Sequence, residues 1–175
     1  RPNLALAEGS IDVNIFQHKP YLDNFAKEHK LALTPVTQVP TGPLGLYSGK
    51  QKALTAVKAG SSVAVPNDPT NQARALVMLA DLGWITLKPG IDPLTASERD
   101  VAQNLKQIKI VPLEAAQLPR ARSDVDFAVV NGNYAVSAGI KFTEALFLEK
   151  SYAYVNWVVV RSADVNKPFI KDVTA

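Results

Sequence analysis

Apolar residues fall along this chain in short bursts of strand length. Ile11, Val13 and Ile15 alternate with Asp12 and Asn14, the period-2 signature of a strand buried on one face. Further runs occupy residues 31–36, 44–47, 63–66, 108–111, 127–130, 145–148 and 155–160, and the first covers 11–16. Between several of them the spacing turns helical, at residues 20–29, 69–82, 97–107 and 114–118. Strands alternating with helices predict an α/β fold with a largely parallel sheet. Val39-Pro40-Thr41-Gly42-Pro43 is dense in turn formers and marks a hinge or crossover. The tail predicts a helix over residues 164–172 interrupted at Pro168.

Polar residues cluster where several of these strands end, and in open α/β sheets ligands sit past the carboxyl ends of strands. Gln17, His18 and Lys19 close the first run, and Pro20 opens the helical Tyr21-Leu22-Asp23-Asn24-Phe25-Ala26-Lys27. After the run 63–66, Asp68 stands as an N-cap and Pro69 suits the first helical position. Arg74 lies on this helix and leans back over its first turn, where it offers a fork to a carboxylate. A capped surface helix with a solvated arginine fits the same residues. Asn131 follows the run 127–130 directly, and Asn131-Gly132 also reads as an ordinary turn. Asn156 sits inside a strongly β-prone segment, where a buried amide needs either a core hydrogen bond or a ligand. Together, Gln17 or His18, Arg74, Asn131 and Asn156 suit a zwitterion: a guanidinium for the carboxylate and amide oxygens for the ammonium. Phe16, Tyr21, Tyr47 and Tyr154 lie near these positions in sequence and are expected to wall an apolar pocket, favourable to a thioether.

Composition narrows the field. The 175 residues are 47% hydrophobic and 20% charged, enough to bury a substantial core. Net charge is +3 from 19 basic and 16 acidic residues with no dense basic block, which argues against nucleic acid as a partner. No apolar run approaches the roughly 20 residues that cross a bilayer, and Arg1-Pro2-Asn3 opens without a signal-peptide pattern. Without cysteine the sequence offers no disulfide, thiolate metal ligand or thiol nucleophile. His18 and His29 are the only histidines, Ser137 lacks a nucleophile elbow, Asp124 and Asp126 read as surface, and Gly42-Pro43-Leu44-Gly45 lacks the Lys-Ser/Thr of a phosphate loop. No catalytic set assembles, so the expectation is a binding protein with no enzymatic activity, metal or cofactor.

Four runs carry a family resemblance. Phe16-Gln17-His18-Lys19-Pro20-Tyr21-Leu22, Val63-Ala64-Val65-Pro66-Asn67-Asp68-Pro69-Thr70-Asn71, Glu114-Ala115-Ala116-Gln117-Leu118-Pro119-Arg120 and Tyr154-Val155-Asn156 resemble, in order and spacing, those of the NlpA-type methionine-binding lipoproteins, the substrate-binding proteins of methionine ABC importers. The resemblance implies a two-lobed periplasmic-binding-protein (type II) fold that closes over an amino acid, most often methionine, and delivers it to a membrane ABC permease. It implies that Arg74 holds the ligand carboxylate, that Asn131 and Asn156 hold its polar end, and that Phe16, His18 and Tyr21 approach its side chain. On this reading Arg74→Ala abolishes ligand-induced stabilisation and leaves the fold intact. The protein is expected to be a monomer in the periplasm or at the cell surface, anchored by lipid through a cysteine outside this sequence.

Lobe I is expected to comprise residues 1–53 and 149–175, lobe II residues 54–148, with hinges near 47–54 and 149–154. Relative to the family pattern, the sequence is expected to lack the first strand–helix–strand unit of lobe I and the closing helical tail. Family members also carry aromatic residues where this chain has Val39-Pro40-Thr41-Gly42-Pro43. That change favours a site retuned for another amino acid, a dipeptide or a sulfur-bearing analogue as the alternative ligand. Two further alternatives are an enzyme on the same fold using His18 as a base, and a non-transport surface lipoprotein.

Overall fold

A computed structural model of the protein describes residues 2–175. In chain order the helices and strands are α1 (Pro2–Ala7), β1 (Asn14–His18), α2 (Lys19–His29), β2 (Leu33–Val39), β3 (Gly45–Ser48), β4 (Ser62–Pro66), α3 (Pro69–Asp81), β5 (Thr86–Leu87), β6 (Val101–Gln103), β7 (Lys109–Leu113), α4 (Leu118–Ala121), β8 (Phe127–Val130), α5 (Gly132–Ser137), β9 (Ala145–Leu148), β10 (Asn156–Arg161) and α6 (Phe169–Thr174). They form two units, Arg1–Thr41 with Ser151–Ala175, and Gly42–Lys150.

The first unit is built on a three-stranded sheet in the order β1-β10-β2. Both pairings are antiparallel. The register of β1 on β10 shifts between Ile15 and Gln17, which makes Phe16 the extra residue of a bulge. Leu6, Leu22 and Val159 form the buried core, with Leu33 and Trp157 packed against it. Arg161 ties α1 and its following loop to β10: Nη1 donates to Leu6 O at 2.9 Å and Ile11 O at 2.6 Å, and Nη2 donates to Asp12 at 2.6 Å. Helix α2 starts where the chain leaves β1, with proline in its first turn, and stops at Lys30, whose φ of +54° takes the left-handed region.

The second unit holds a five-stranded sheet in the order β7-β4-β8-β3-β9. Its central strands are buried on both faces, as their unbroken apolar runs require. Val63, Val65, Phe127 and Val129 point to one side and pack with Leu76 and Leu79 of α3. Ala64, Ala128 and Val130 point to the other and pack with Leu118 of α4 and Ala135 of α5. Asp68 caps α3 by accepting the Asn71 N–H at 3.0 Å, and Gly83, at φ +68°, follows its C-terminus.

The sheets correct the expectation of a largely parallel arrangement. Only β4 runs parallel to its neighbours β7 and β8; β3 pairs antiparallel with both β8 and β9. Residues 42–53, assigned to lobe I from the sequence, fall in the second unit, because β3 is bonded on both sides to that unit's strands. The helix expected over residues 97–107 is a single 3-10 turn, Glu98–Asp100, followed by β6. Ser97 and Asp100 close that turn as a capping box, and the next three residues leave to pair with β5. The helix expected over 114–118 is a 3-10 turn, Ala115–Gln117, that runs into α4. At the C-terminus a turn at Ser162–Asp164 precedes Pro168, and α6 begins after the proline rather than spanning it.

Candidate functional site

In the second unit, the turn of α3 that comes after Asp68 brings a polar network together. Asp68 accepts from the Thr70 hydroxyl at 3.1 Å and from the Asn71 side-chain amide at 3.0 Å. The Asn71 oxygen in turn accepts from Arg74 Nη1 at 3.4 Å and from the Asn131 amide at 3.1 Å. Arg74 is only 5% exposed, so it is not the solvated arginine of the alternative reading. Its Nε and Nη2 both donate to the Glu149 carboxylate, a two-pronged contact that satisfies one edge of the guanidinium.

Asn131 stands at the N-terminus of α5, in extended conformation after β8. The Asn-Gly pair is therefore a strand-to-helix junction rather than a free turn. Gly132 is required there by close approach: a Cβ on it would lie 2.3 Å from the Gly42 carbonyl oxygen. With its amide nitrogen given to Asn71, the Asn131 side-chain oxygen is buried with no hydrogen-bond partner. Among the described residues the only other buried side-chain atom in that condition is the Tyr47 hydroxyl. An orphaned acceptor in a buried setting costs about 1–3 kcal/mol, and it is the kind of group a ligand ammonium would satisfy.

Tyr47, expected from the sequence to wall the pocket, does not do so. It lies in the core of the second unit at 0% exposure, with the Arg122 guanidinium 5.6 Å from its ring centre. Burial pushes its phenol upward, against the opposing pull of Arg122.

In the first unit, the end of β1 and the start of β10 gather the aromatic group. His18 and Asn156 are directly opposed across the two strands. The His18 ring is buried and packs edge-on against Tyr154 at 5.1 Å and against Tyr21 at 6.2 Å between ring centres. Phe16, the bulge residue, meets Tyr21 edge-on at 5.9 Å. His18 Nδ1 accepts the Tyr21 backbone N–H at 3.1 Å and so caps α2, which in the neutral ring leaves the proton on Nε2. Asn156 is half-buried, and its backbone N–H donates to the Thr41 hydroxyl at 2.8 Å. Gln17 goes the other way: it exchanges hydrogen bonds of 2.7 Å with Asn3 and bonds Asn14 at 3.0 Å in a buried amide cluster. Gln17 is therefore held as a structural residue, and of the two the sequence offered, His18 remains the candidate.

Each unit thus groups its own share of the expected residues: Arg74 and Asn131 in one, Phe16, His18, Tyr21 and Asn156 in the other. Two members of the network escaped the sequence. Asn71 lies three residues before Arg74 on the same helix face, a spacing that does signal contact. Glu149 follows a strand as one acidic residue among sixteen, and nothing local distinguishes it from surface charge.

The model of the NlpA lipoprotein family matches residues 1–175. The chain belongs to this family. D-methionine-binding lipoprotein MetQ of Salmonella typhi is 44% identical over 174 residues, covering 97% of this chain. The chain spans 64% of that relative's length, under two thirds. Among solved structures, a periplasmic substrate-binding protein of an ABC transporter from Coxiella burnetii matches with a TM-score of 0.93 at 44% identity, over 98% of this chain and 73% of that one. A nutrient-binding protein from Burkholderia cenocepacia, bound to methionine, matches with a TM-score of 0.94 at 42% identity, over 99% and 73%. This member of the NlpA lipoprotein family therefore has the α/β fold of periplasmic substrate-binding proteins.

Proposed function

We propose that the protein captures an amino acid outside the cytoplasm, methionine before others, and passes it unchanged to an ABC importer. The observation that carries the reading is the buried network of Arg74, Asn71 and Asn131, with the Asn131 oxygen left for a donor that the protein does not supply. Arg74 takes the ligand carboxylate by charge-assisted hydrogen bonds, and Asn131 and Asn156 take the polar amino-acid end. Phe16, His18 and Tyr21 contact the ligand side chain, where a thioether gains from sulfur–aromatic contact. His18 acts by packing and by capping α2, which supports binding without chemistry. Relatives named for D-methionine and a neighbour described with methionine bound support the choice of ligand. The family description, a lipoprotein family, supports a lipid-anchored location at the periplasmic or outer cell surface. We propose that the protein acts there as a monomer.

The run Val39-Pro40-Thr41-Gly42-Pro43 contains no aromatic residue, and it supports a second ligand reading in which another amino acid, a dipeptide or a sulfur-bearing analogue is preferred. A thermal-shift panel on protein unfolded and refolded to strip carried-over ligand separates the two. A ligand that binds the native state alone raises the melting temperature by mass action. A shift led by L- or D-methionine supports the first reading, and a larger shift with another member of the panel reassigns the cargo. No shift with any member of a panel that includes dipeptides and sulfur-bearing analogues would sink both.

A further inference from the structure

The buried partner of Arg74 does more than hold it still. Glu149 follows β9, and its side chain is 9% exposed against 5% for Arg74. Besides receiving both prongs from Arg74, its Oε1 accepts the Leu44 backbone N–H at 2.7 Å, while its own N–H donates to Leu44 O at 3.0 Å. Side chain and main chain therefore grip the same residue ahead of β3, and both carboxylate oxygens are used. A carboxylate that receives a guanidinium on both oxygens offsets the charge it faces.

We infer that Glu149 sets the charge of the ligand site, neutralising Arg74 so that the protein selects a zwitterion and rejects a simple carboxylate anion. This deepens the reading that Arg74 meets the ligand carboxylate, and rests on it. A lone guanidinium in a dry site attracts every carboxylate of the right shape, whether or not an ammonium accompanies it. Paired with Glu149, it offers no net charge. A net-negative ligand then brings an uncompensated charge into a medium that penalises it, whereas an amino acid brings none. Asp68, joined to the same network through Asn71, adds a further negative charge and pushes the balance in the same direction. The Asn131 oxygen supplies an acceptor that an ammonium fills and a des-amino ligand leaves empty. Selection for the amino group is thus built from charge balance as well as from a direct contact.

The test compares two ligands with one side chain: methionine and its des-amino analogue 4-(methylsulfanyl)butanoate, titrated calorimetrically into the refolded protein. Glu149→Gln keeps the shape and removes the charge. The expected result is that the preference for methionine over the anion falls by about tenfold or more, equivalent to ~1.4 kcal/mol. A residue that only braces Arg74 would weaken both ligands in proportion, and an unchanged ratio in Glu149→Gln overturns the inference. Glu149→Asp keeps the charge on a shorter arm, so both affinities fall while the wild-type ratio persists. If the glutamine variant does not fold, the wild-type ratio decides: a preference for methionine over the anion of less than about tenfold, ~1.4 kcal/mol, overturns the inference. A wild type that binds neither ligand overturns the methionine reading and this inference together. Binding of methionine with a ratio indifferent to residue 149 overturns this inference alone.

Discussion

Arg74 and Glu149 show how one buried contact changes what a mutation means. From the sequence, Arg74→Ala is expected to remove ligand binding and spare the fold. The structure revises the second half, because removing the arginine leaves the Glu149 carboxylate buried at 9% exposure with only the Leu44 N–H to answer it. Stranding one partner of a buried pair costs about 3–5 kcal/mol. Denaturant unfolding of ligand-free Arg74→Ala is therefore expected to show a loss of that order, and stability within about 0.5 kcal/mol of wild type would contradict it. Asn131 behaves in the opposite way. Its oxygen has no partner and its nitrogen makes one bond to Asn71. Truncation to alanine removes an orphaned acceptor along with that bond, so ligand-free stability is expected to change by no more than about 1 kcal/mol. A loss of several kcal/mol by the same unfolding measurement would mean that Asn131 serves the fold rather than a ligand.

Among the elements, the starts of β4 and β8 are joined by a single carboxylate. Asp126 accepts from the Ser62 backbone N–H at 2.8 Å and from its hydroxyl at 3.1 Å, and returns its own N–H to Ser62 Oγ at 3.0 Å. The backbone hydrogen bond from Ser62 leads the effects that hold its carboxyl below the usual range, against the upward push of burial. The depressed folded value gives the sign: this contribution is fully present above the unfolded value near 3.9 and is lost as pH falls from there through the folded one. Wild-type protein is expected to lose more stability between pH 6 and pH 3 than Asp126→Asn does. Parallel pH profiles for the two would contradict that role.

The same elements mark how far the sequence could be read. The apolar runs announced the eight longer strands, and Pro20 and Pro69 with their capping neighbours announced α2 and α3. Strand direction was not legible, since a run buried on both faces looks the same in a parallel or an antiparallel pair. Helix α5 is hidden in the sequence because Asn131-Gly132 is a turn signal locally. What makes Gly132 necessary is the backbone of Gly42, ninety residues away and invisible to any local pattern. Residues 97–107 mislead in the reverse direction: Glu98, Arg99 and Asp100 suit a helix, but the Ser97–Asp100 box closes a single turn and β5 claims the three residues after it. In the candidate site, Arg74 and Asn131 were legible as polar residues at strand ends and on a helix start. Their buried companion Glu149 was not, because only the tertiary fold takes it out of water.

For the whole molecule, the chain passes between its two units twice, at Thr41–Gly42 and at Lys150–Ser151. The first crossing lies inside the turn-rich run that the sequence marked. The second comes directly after Glu149 and Lys150, so the residue paired with Arg74 is also among the last of its unit. Family membership and the match to periplasmic substrate-binding proteins fix the family and the fold, and the polar network in the second unit gives the ligand hypothesis its specific residues. Binding to the native state at 100 times the dissociation constant stabilises it by about 2.7 kcal/mol, which makes occupancy measurable even where the fold is already stable. The most direct measurement is a calorimetric titration of methionine into refolded wild type and refolded Asn131→Ala. The account predicts saturable binding at one ligand per chain for wild type and an affinity weaker by about 10- to 100-fold for Asn131→Ala, the worth of a hydrogen bond to a charged group. Absence of binding by wild type, or equal affinity in the two proteins, would contradict it.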